Sequence, residues 1–142
     1  MAKNSKVVTW EKDGGFTLVL PFKPTPASRP RITKWGAYYG KTYKAYRELA
    51  DKAIPESRQP VLTGTLRATV EFVCHKPKTT KRSCPLGDID NHVKAVLDAI
   101  TGKKPRFKMY WVDDDQITEL TALKRWPHPG EEPHTRIRIE PI

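Results

Sequence analysis

The sequence predicts an α+β fold in which a small mixed β-sheet carries two helices on one face, in the order β-α-β-α-β-β. Two observations predict it. Several segments alternate between apolar and polar residues, as strands do, and two others repeat apolar residues at helical spacing. The length of 142 residues is enough for one modest core. We therefore expect a single domain over residues 1–142, with no internal repeat.

The first half of the chain supplies a strand, a long loop and a helix. Residues 1–14 are polar and are expected to form a flexible arm or an edge strand. Phe16 to Leu20 alternate as a strand does, and Pro21 ends it. Residues 22–40 are a Pro-rich loop in which basic and aromatic residues are interleaved. A helix is predicted over residues 41–54, with one apolar side made of Tyr43, Tyr46, Ala50 and Ile54.

The second half supplies the remaining strands and the central helix. Residues 66–74 alternate well and form a strand, in which Cys74 is a core thiol rather than a ligand. A helix follows up to about Thr101 and ends at Gly102, with Val93, Val96, Leu97 and Ile100 as its buried face. Residues 116–126 and 135–139 are predicted to be strands, which could pair as a hairpin through residues 127–130.

The charge balance points to a polyanionic partner. Lysine and arginine number 26 against 16 acids, which gives a net charge of +10. Such a surface favours nucleic acid first and an anionic membrane second, although a protein that is merely basic is the simpler alternative. Three loops concentrate the cations that we expect to contact DNA: Arg29, Arg31, Lys34, Lys76, Lys78, Lys81, Arg82, Lys103 and Lys104.

Other features of the sequence indicate where in the cell the protein is expected. No apolar run is long enough to cross a bilayer, the N-terminus lacks a secretory apolar segment, and two cysteines do not make a disulfide framework. A cytoplasmic protein without a membrane partner is expected.

Against this basic background, acids cluster at two places. Asp88 and Asp90 stand just before the central helix, where Asp90 or Asn91 can cap it, and Lys94 lies one turn further on. Asp113, Asp114 and Asp115 form the second cluster. A basic protein that keeps acidic islands is expected to use them to hold a cation.

Magnesium fits this pattern because it prefers oxygen ligands and keeps several waters, so two or three carboxylates suffice. The ion can activate a water that attacks a phosphodiester and can neutralise charge on the phosphate, while Lys94 orients the water or stabilises charge. Asp88 and Asp90 supply two ligands, and the 113–115 cluster is expected to supply the third. An EF-hand loop and a zinc site lack the required spacing.

Each of these features also has a plainer interpretation. An Asp-x-Asp pair before a helix is commonly capping and turn chemistry. Three consecutive aspartates are commonly a solvated turn. Lys94 has Asp98 one turn beyond it, and the default role of that pair is a surface ion pair.

Taken together, the motifs resemble the RusA family of Holliday junction resolvases. The family signature is a D-x-D-N-x-x-K-x-x-x-D-A-L helix followed by a W-x-D-D-x-Q-V/I segment. The matching residues cover the central third of the chain: Asp88-Ile89-Asp90-Asn91, Lys94, Leu97-Asp98-Ala99-Ile100 and Trp111-Val112-Asp113-Asp114-Asp115-Gln116-Ile117. The sequence departs from the pattern at Asp115, where a small residue is common.

The resemblance implies a homodimeric crossover junction endodeoxyribonuclease that depends on Mg²⁺, with Mn²⁺ able to substitute. It would nick two symmetry-related strands of a four-way DNA junction, and such genes are common in phages and prophages. Position by position, it implies Asp88, Asp90, Lys94 and Asp114 as the catalytic residues. Asp88, Asp90 and Asp114 would be the metal ligands, with Asp113 in reserve. The alternatives are a non-catalytic nucleic-acid-binding protein and a metal nuclease acting on other branched DNA.

Overall fold

Seven strands and two helices make up the part of the chain that the computed structural model describes, which is residues 7–28, 31–33, 36–38, 40–102 and 109–142. The strands are β1 (Val8–Trp10), β2 (Phe16–Leu20), β3 (Arg31–Thr33), β4 (Gly36–Tyr38), β5 (Leu66–Val73), β6 (Ile117–Arg125) and β7 (His134–Pro141). The helices are α1 (Lys41–Ala53) and α2 (Ile89–Thr101).

Five strands form one mixed sheet in the spatial order β1-β2-β7-β5-β6. β5 is antiparallel to β7 and parallel to β6. A parallel pair needs a long crossover connection, and α2 lies in the connection between β5 and β6. The two outer strands are therefore β1, which has three residues, and β6, which has nine.

Both helices bury one stripe against the same face of this sheet. The buried residues of α1 are Tyr43, Tyr46 and Ala50, and those of α2 include Val93, Val96 and Ile100, at the spacing that places side chains on one side of a helix. They join alternate residues of the strands, such as Leu18, Val70 and Ile137, in one hydrophobic core. The predicted α+β class, with two helices on one face of a mixed sheet, is confirmed.

The opposite face of the sheet carries ion pairs between neighbouring strands. Arg67 contacts Glu119 and Glu140, at 3.0 and 3.7 Å. Arg125 contacts Glu71 and Glu131, and Arg138 contacts Glu11, Asp13 and Glu140. Acids on this face largely neutralise its arginines, so its charge does not favour DNA.

The predicted hairpin between the last two strands is wrong. β6 and β7 are not neighbours, because β5 lies between them and pairs with both. The chain after β6 passes over the end of β5, and Arg125 and Glu131 hold that connection through two short hydrogen bonds of 2.6 and 2.8 Å. Alternation marks a strand but does not say which strand it pairs with.

Three local predictions also need adjustment. Within residues 1–14, Val8–Trp10 form an edge strand on β2, whereas residues 1–6 lie outside the described residues. The Pro-rich loop contains the antiparallel pair of β3 and β4. The cap position of α2 is Asp88, rather than Asp90 or Asn91, and its side chain makes no capping hydrogen bond.

Candidate active site

The start of α2 presents its two aspartates to solvent. Asp88 has extended backbone and Asp90 lies in the first helical turn, so the two are not consecutive positions of one strand. Asp90 Oδ1 accepts a hydrogen bond from the backbone N–H of Asn91 at 3.0 Å. The positive end of the helix dipole lies here, next to both side chains.

Gly87 fixes the approach to this helix start. Its φ of +95° belongs to the left-handed region, and a Cβ there would lie 2.9 Å from Pro26 and 3.1 Å from His92 Nε2. A larger residue would therefore be strained and would displace its neighbours. The carbonyl of Gly87 also accepts a hydrogen bond from Lys124 Nζ, which ties the helix start to the end of β6.

The second acidic cluster forms a single 3₁₀ turn at Asp114–Gln116, not an extended segment. Asp113 caps this turn, since its Oδ1 accepts from the N–H of Asp115 at 3.0 Å. Gln116 closes it from the other side: its Oε1 accepts from the N–H groups of Val112 and Asp113, and its Nε2 donates to the carbonyls of Leu62 and Gly64.

Asp114 is held by the core beneath this turn. The buried Trp111 donates its indole N–H to Asp114 Oδ1 at 2.8 Å. Trp111 itself packs on Phe16, with ring centroids 6.3 Å apart. One carboxylate oxygen of Asp114 is therefore fixed in direction, and the residue as a whole is exposed. The W-x-D-D-x-Q motif is thus one hydrogen-bonded unit, in which Asp113 closes the turn and Asp114 faces solvent.

The two clusters lie at opposite ends of β6, so one chain alone does not bring the three predicted metal ligands together; their shared site stays a prediction. The turn precedes Ile117, which pairs with Leu66, whereas Lys124, which touches Gly87, pairs with Phe72. Leu66 and Phe72 are about 20 Å apart along β5. No group of three metal-ligating side chains occurs among the described residues, which include all five of these acids.

Lys94 behaves as the plainer interpretation predicts. Its Nζ lies 3.3 Å from Asp98 Oδ2, one turn along the helix, and two thirds of its side chain is exposed. In the described structure it does not reach back to Asp88 or Asp90.

None of the five clustered acids forms an ion pair with a described side chain. Acids that do pair with a lysine or arginine lie elsewhere and include Glu11, Asp13, Glu71, Asp98, Glu119, Glu131 and Glu140. In a chain of net charge +10, the acidic islands are thus left open to an external cation.

The basic loop between β5 and α2 lies at the Asp88 end of the molecule. Lys76, Lys78, Lys81 and Arg82 are all exposed there. Lys76 Nζ lies 5.9 Å from the ring centroid of Trp126, a cation–π contact, and Trp126 donates its indole N–H to the carbonyl of Arg82 at 3.3 Å. Arg31 begins β3, while Arg29, Lys34, Lys103 and Lys104 lie outside the described residues.

Two buried side chains near this loop, Cys74 and His92, belong to the packed interior and not to a metal site. Cys74 is a core residue, as predicted, and burial raises the pKa of its thiol to about 11, so it stays protonated at neutral pH. Burial also lowers the pKa of His92, whose ring packs on Phe72 with centroids 5.1 Å apart.

Sequence reasoning missed Trp126 and the bond from Trp111 to Asp114. Trp126 lies at the end of a predicted strand and is close to the basic loop in space but not in sequence. The local sequence therefore does not indicate their contact. The W-x-D-D spacing was the signal for the second feature.

A match to a protein family sets the class of this molecule, which is an endodeoxyribonuclease. The family model described as endodeoxyribonuclease RusA matches residues 21–140. Since this stretch covers most of the chain, the protein belongs to the RusA family, as the resemblance indicated. No curated protein matches the chain. No helix in the described part of the chain combines the length and apolar character needed to span a membrane.

Proposed function

We propose that this protein is a Mg²⁺-dependent, structure-selective endonuclease that resolves four-way DNA junctions by paired, symmetric nicks. The observation that carries the proposal is that acids of its motif are exposed and unpaired with described cations. Asp88, Asp90 and Asp114 are exposed and lack a cationic partner among the described side chains, in a strongly basic member of a deoxyribonuclease family.

The separation of these acids supports a site shared between two subunits. A divalent ion and its oxygen ligands lie about 2 Å apart, so one chain alone offers Asp88 and Asp90 to an ion but not Asp114. A second copy running antiparallel beside β6 would bring the Trp111–Gln116 turn of one subunit to the Asp88 end of the other. Each dimer would then contain two such sites.

β6 is suited to this pairing. It is a long outer strand, and Leu120 and Leu123 on it are 51% and 44% exposed. Long apolar edge strands invite pairing with another strand, and proteins usually shorten or charge them. The other edge, β1, is short. A two-fold axis near Leu120 would place this leucine against its own copy, and a two-fold dimer matches the symmetry of a four-way junction.

Each residue has a defined task in this proposal. Asp88 and Asp90 hold a cation at the helix start, and Asp114 of the partner subunit, aimed by its own Trp111, completes the carboxylate set. Magnesium, when bound, supplies the Lewis-acid chemistry that activates water and offsets charge on the phosphate. Lys94 leaves Asp98 to face the phosphate and stabilises its developing charge. The loop cations hold the flanking strands.

Cleavage of a synthetic four-way junction tests the proposal. Wild-type protein is compared with Asp90→Asn, with and without Mg²⁺, against duplex and flap DNA of the same sequence at fixed salt. We expect Mg²⁺-dependent paired nicks from the wild type, with Mn²⁺ as a substitute, and junction binding without cleavage from the variant. A purely DNA-binding protein would show no Mg²⁺-dependent product, and preferred cleavage of flaps would indicate another branched substrate.

A further inference from the structure

A cavity of about 420 Å³ lies beside the start of α2, and none of the acids proposed to hold the metal lines it. It is lined by the Pro-rich segment of residues 23–26, the basic loop after β5, and the first turns of both helices. Gly87, the residue before Asp88, forms part of its wall. Whatever binds in the cavity is therefore one residue away from the proposed cleavage site.

The walls of this cavity are mostly apolar and partly aromatic. Pro26, Pro85, Leu86 and Trp126 contribute apolar surface, and the buried ring of His92 lies among them. Trp126 is only partly buried, and it packs against the hydrophobic core. Its indole N–H is bonded to the carbonyl of Arg82, which holds the ring in place as a platform.

The charged side chains that line the cavity are all cationic. Lys23 and Arg82 line it, and Lys76 approaches the ring of Trp126. None of the described residues that line the cavity is acidic. An apolar, aromatic interior with a cationic rim suits a flat, uncharged ring that is joined to a phosphate, which is the chemistry of a nucleotide in a DNA strand.

We propose that this cavity receives one unstacked nucleobase of the DNA strand, next to the phosphodiester bond that is cut. The base stacks on Trp126, and Lys76 and Arg82 hold its flanking phosphates. Removing a base from the stack is cheapest where pairing is already weakened, as at the centre of a branched junction. The cavity thereby favours strands at a branch point over continuous duplex. The inference rests on the proposed function for the position of the cut.

A double-mutant cycle between protein and DNA, measured as binding affinity, tests whether the cavity holds a base and does not require cleavage. Affinity for a four-way junction is measured in EDTA at fixed salt, with an abasic analogue placed in turn at each nucleotide around the cleaved bond. The opposite nucleotide is a mismatch in every junction, so that removing the base does not also relieve pairing. For wild-type protein, we expect removal at one position to weaken binding about 10-fold.

Trp126→Ala supplies the other side of the cycle. We expect it to bind the intact junction about 10-fold more weakly than wild type, with no further loss at the abasic position. Trp126→Phe keeps an aromatic face and should retain most of the affinity. Because the effect of the abasic analogue on wild-type protein needs no variant, the test stands even if Trp126→Ala folds poorly.

The outcomes separate this inference from the proposed function. If no abasic position weakens wild-type binding, or if Trp126→Ala loses affinity equally at every position, the cavity does not hold a base, whatever the cleavage assay shows. If the cycle shows coupling at one position while the wild type cuts no DNA with Mg²⁺, the base cavity stands and the nuclease proposal fails.

Discussion

The two ends of β6 hold their acids in different ways. At its start, the turn of residues 111–116 is fixed by hydrogen bonds to its own backbone and to the core, and Asp114 is aimed by the buried Trp111. At its far end, Asp88 and Asp90 stand at an exposed helix start, where Asp88 makes no capping bond.

This difference indicates a division of labour. Carboxylates that are already held by hydrogen bonds lose little freedom when they bind an ion, whereas exposed ones are ordered by the ion itself. In the proposed dimer, the turn would therefore be a preformed ligand, and the helix start would complete its site only when a cation and a second subunit bind.

The largest expected effect comes from removing one charge at either end. Asp90→Asn and Asp114→Asn should each lower the rate of junction cleavage by about 1,000-fold or more, because each removes a proposed metal ligand. Junction affinity measured in EDTA should be kept or slightly increased, since a negative charge near DNA is lost. Asp115→Asn is the matched control, because Asp115 is exposed in the same turn and should change the rate by no more than about 2-fold.

The second-largest effect is expected from disrupting the proposed pairing of β6 between subunits. Leu120→Arg places a charge in the middle of β6 and should convert the proposed dimer to monomer, with a loss of cleavage of about 100-fold at low protein concentration. Light scattering after gel filtration measures the mass. Thr9→Arg, on the opposite edge strand, is the control and should leave the mass unchanged; a dimer that survives Leu120→Arg places the interface elsewhere.

Loosening the turn should have a moderate effect. Gln116→Ala removes four hydrogen bonds of the turn and should lower the free energy of unfolding by about 2 kcal/mol. Because Asp114 is then less well aimed, cleavage should fall about 10-fold at a temperature where the protein is folded. Thr118→Ala, an exposed position two residues on, serves as the control. An unchanged rate would show that the turn need not be preformed.

The smallest effect concerns pH at the far end of β6. The Arg125 guanidinium and the His128 N–H lower the pKa of Glu131 from 4.5 to about 2. The folded state thus binds this proton less tightly than the unfolded state, so the stabilisation is complete above about pH 4.5 and is lost as the pH falls toward 2. The thermal midpoint of Glu131→Gln should fall less than that of the wild type across this range.

Much of the fold could be predicted from periodicity. The strands at residues 16–20 and 66–74 and both helices were predicted to within a residue or two, because their apolar residues face one core. Pairing could not be predicted, because a strand's own pattern says nothing about its neighbour. β5 therefore displaced the expected hairpin of β6 and β7.

The site shows the same limit. The motif spacing identified Asp88, Asp90, Asp113 and Asp114 as a group, and their catalytic and metal-binding roles stay predictions. Their placement at opposite ends of one strand depends on the parallel pairing of β5 and β6, which no local pattern encodes. The capping role of Asp113 could have been anticipated, since an Asp three residues before Gln is a capping-box pattern.

Subunit complementation tests the shared site most directly. Asp90→Asn and Asp114→Asn chains are co-folded in equal amounts, so that about half of the dimers contain one of each. If sites are shared, each mixed dimer keeps one complete site, and the mixture should regain roughly a quarter of wild-type strand nicking. If each site is built from one chain, every site in the mixture carries a substitution. The mixture would then stay as inactive as either variant alone, which would contradict the shared site.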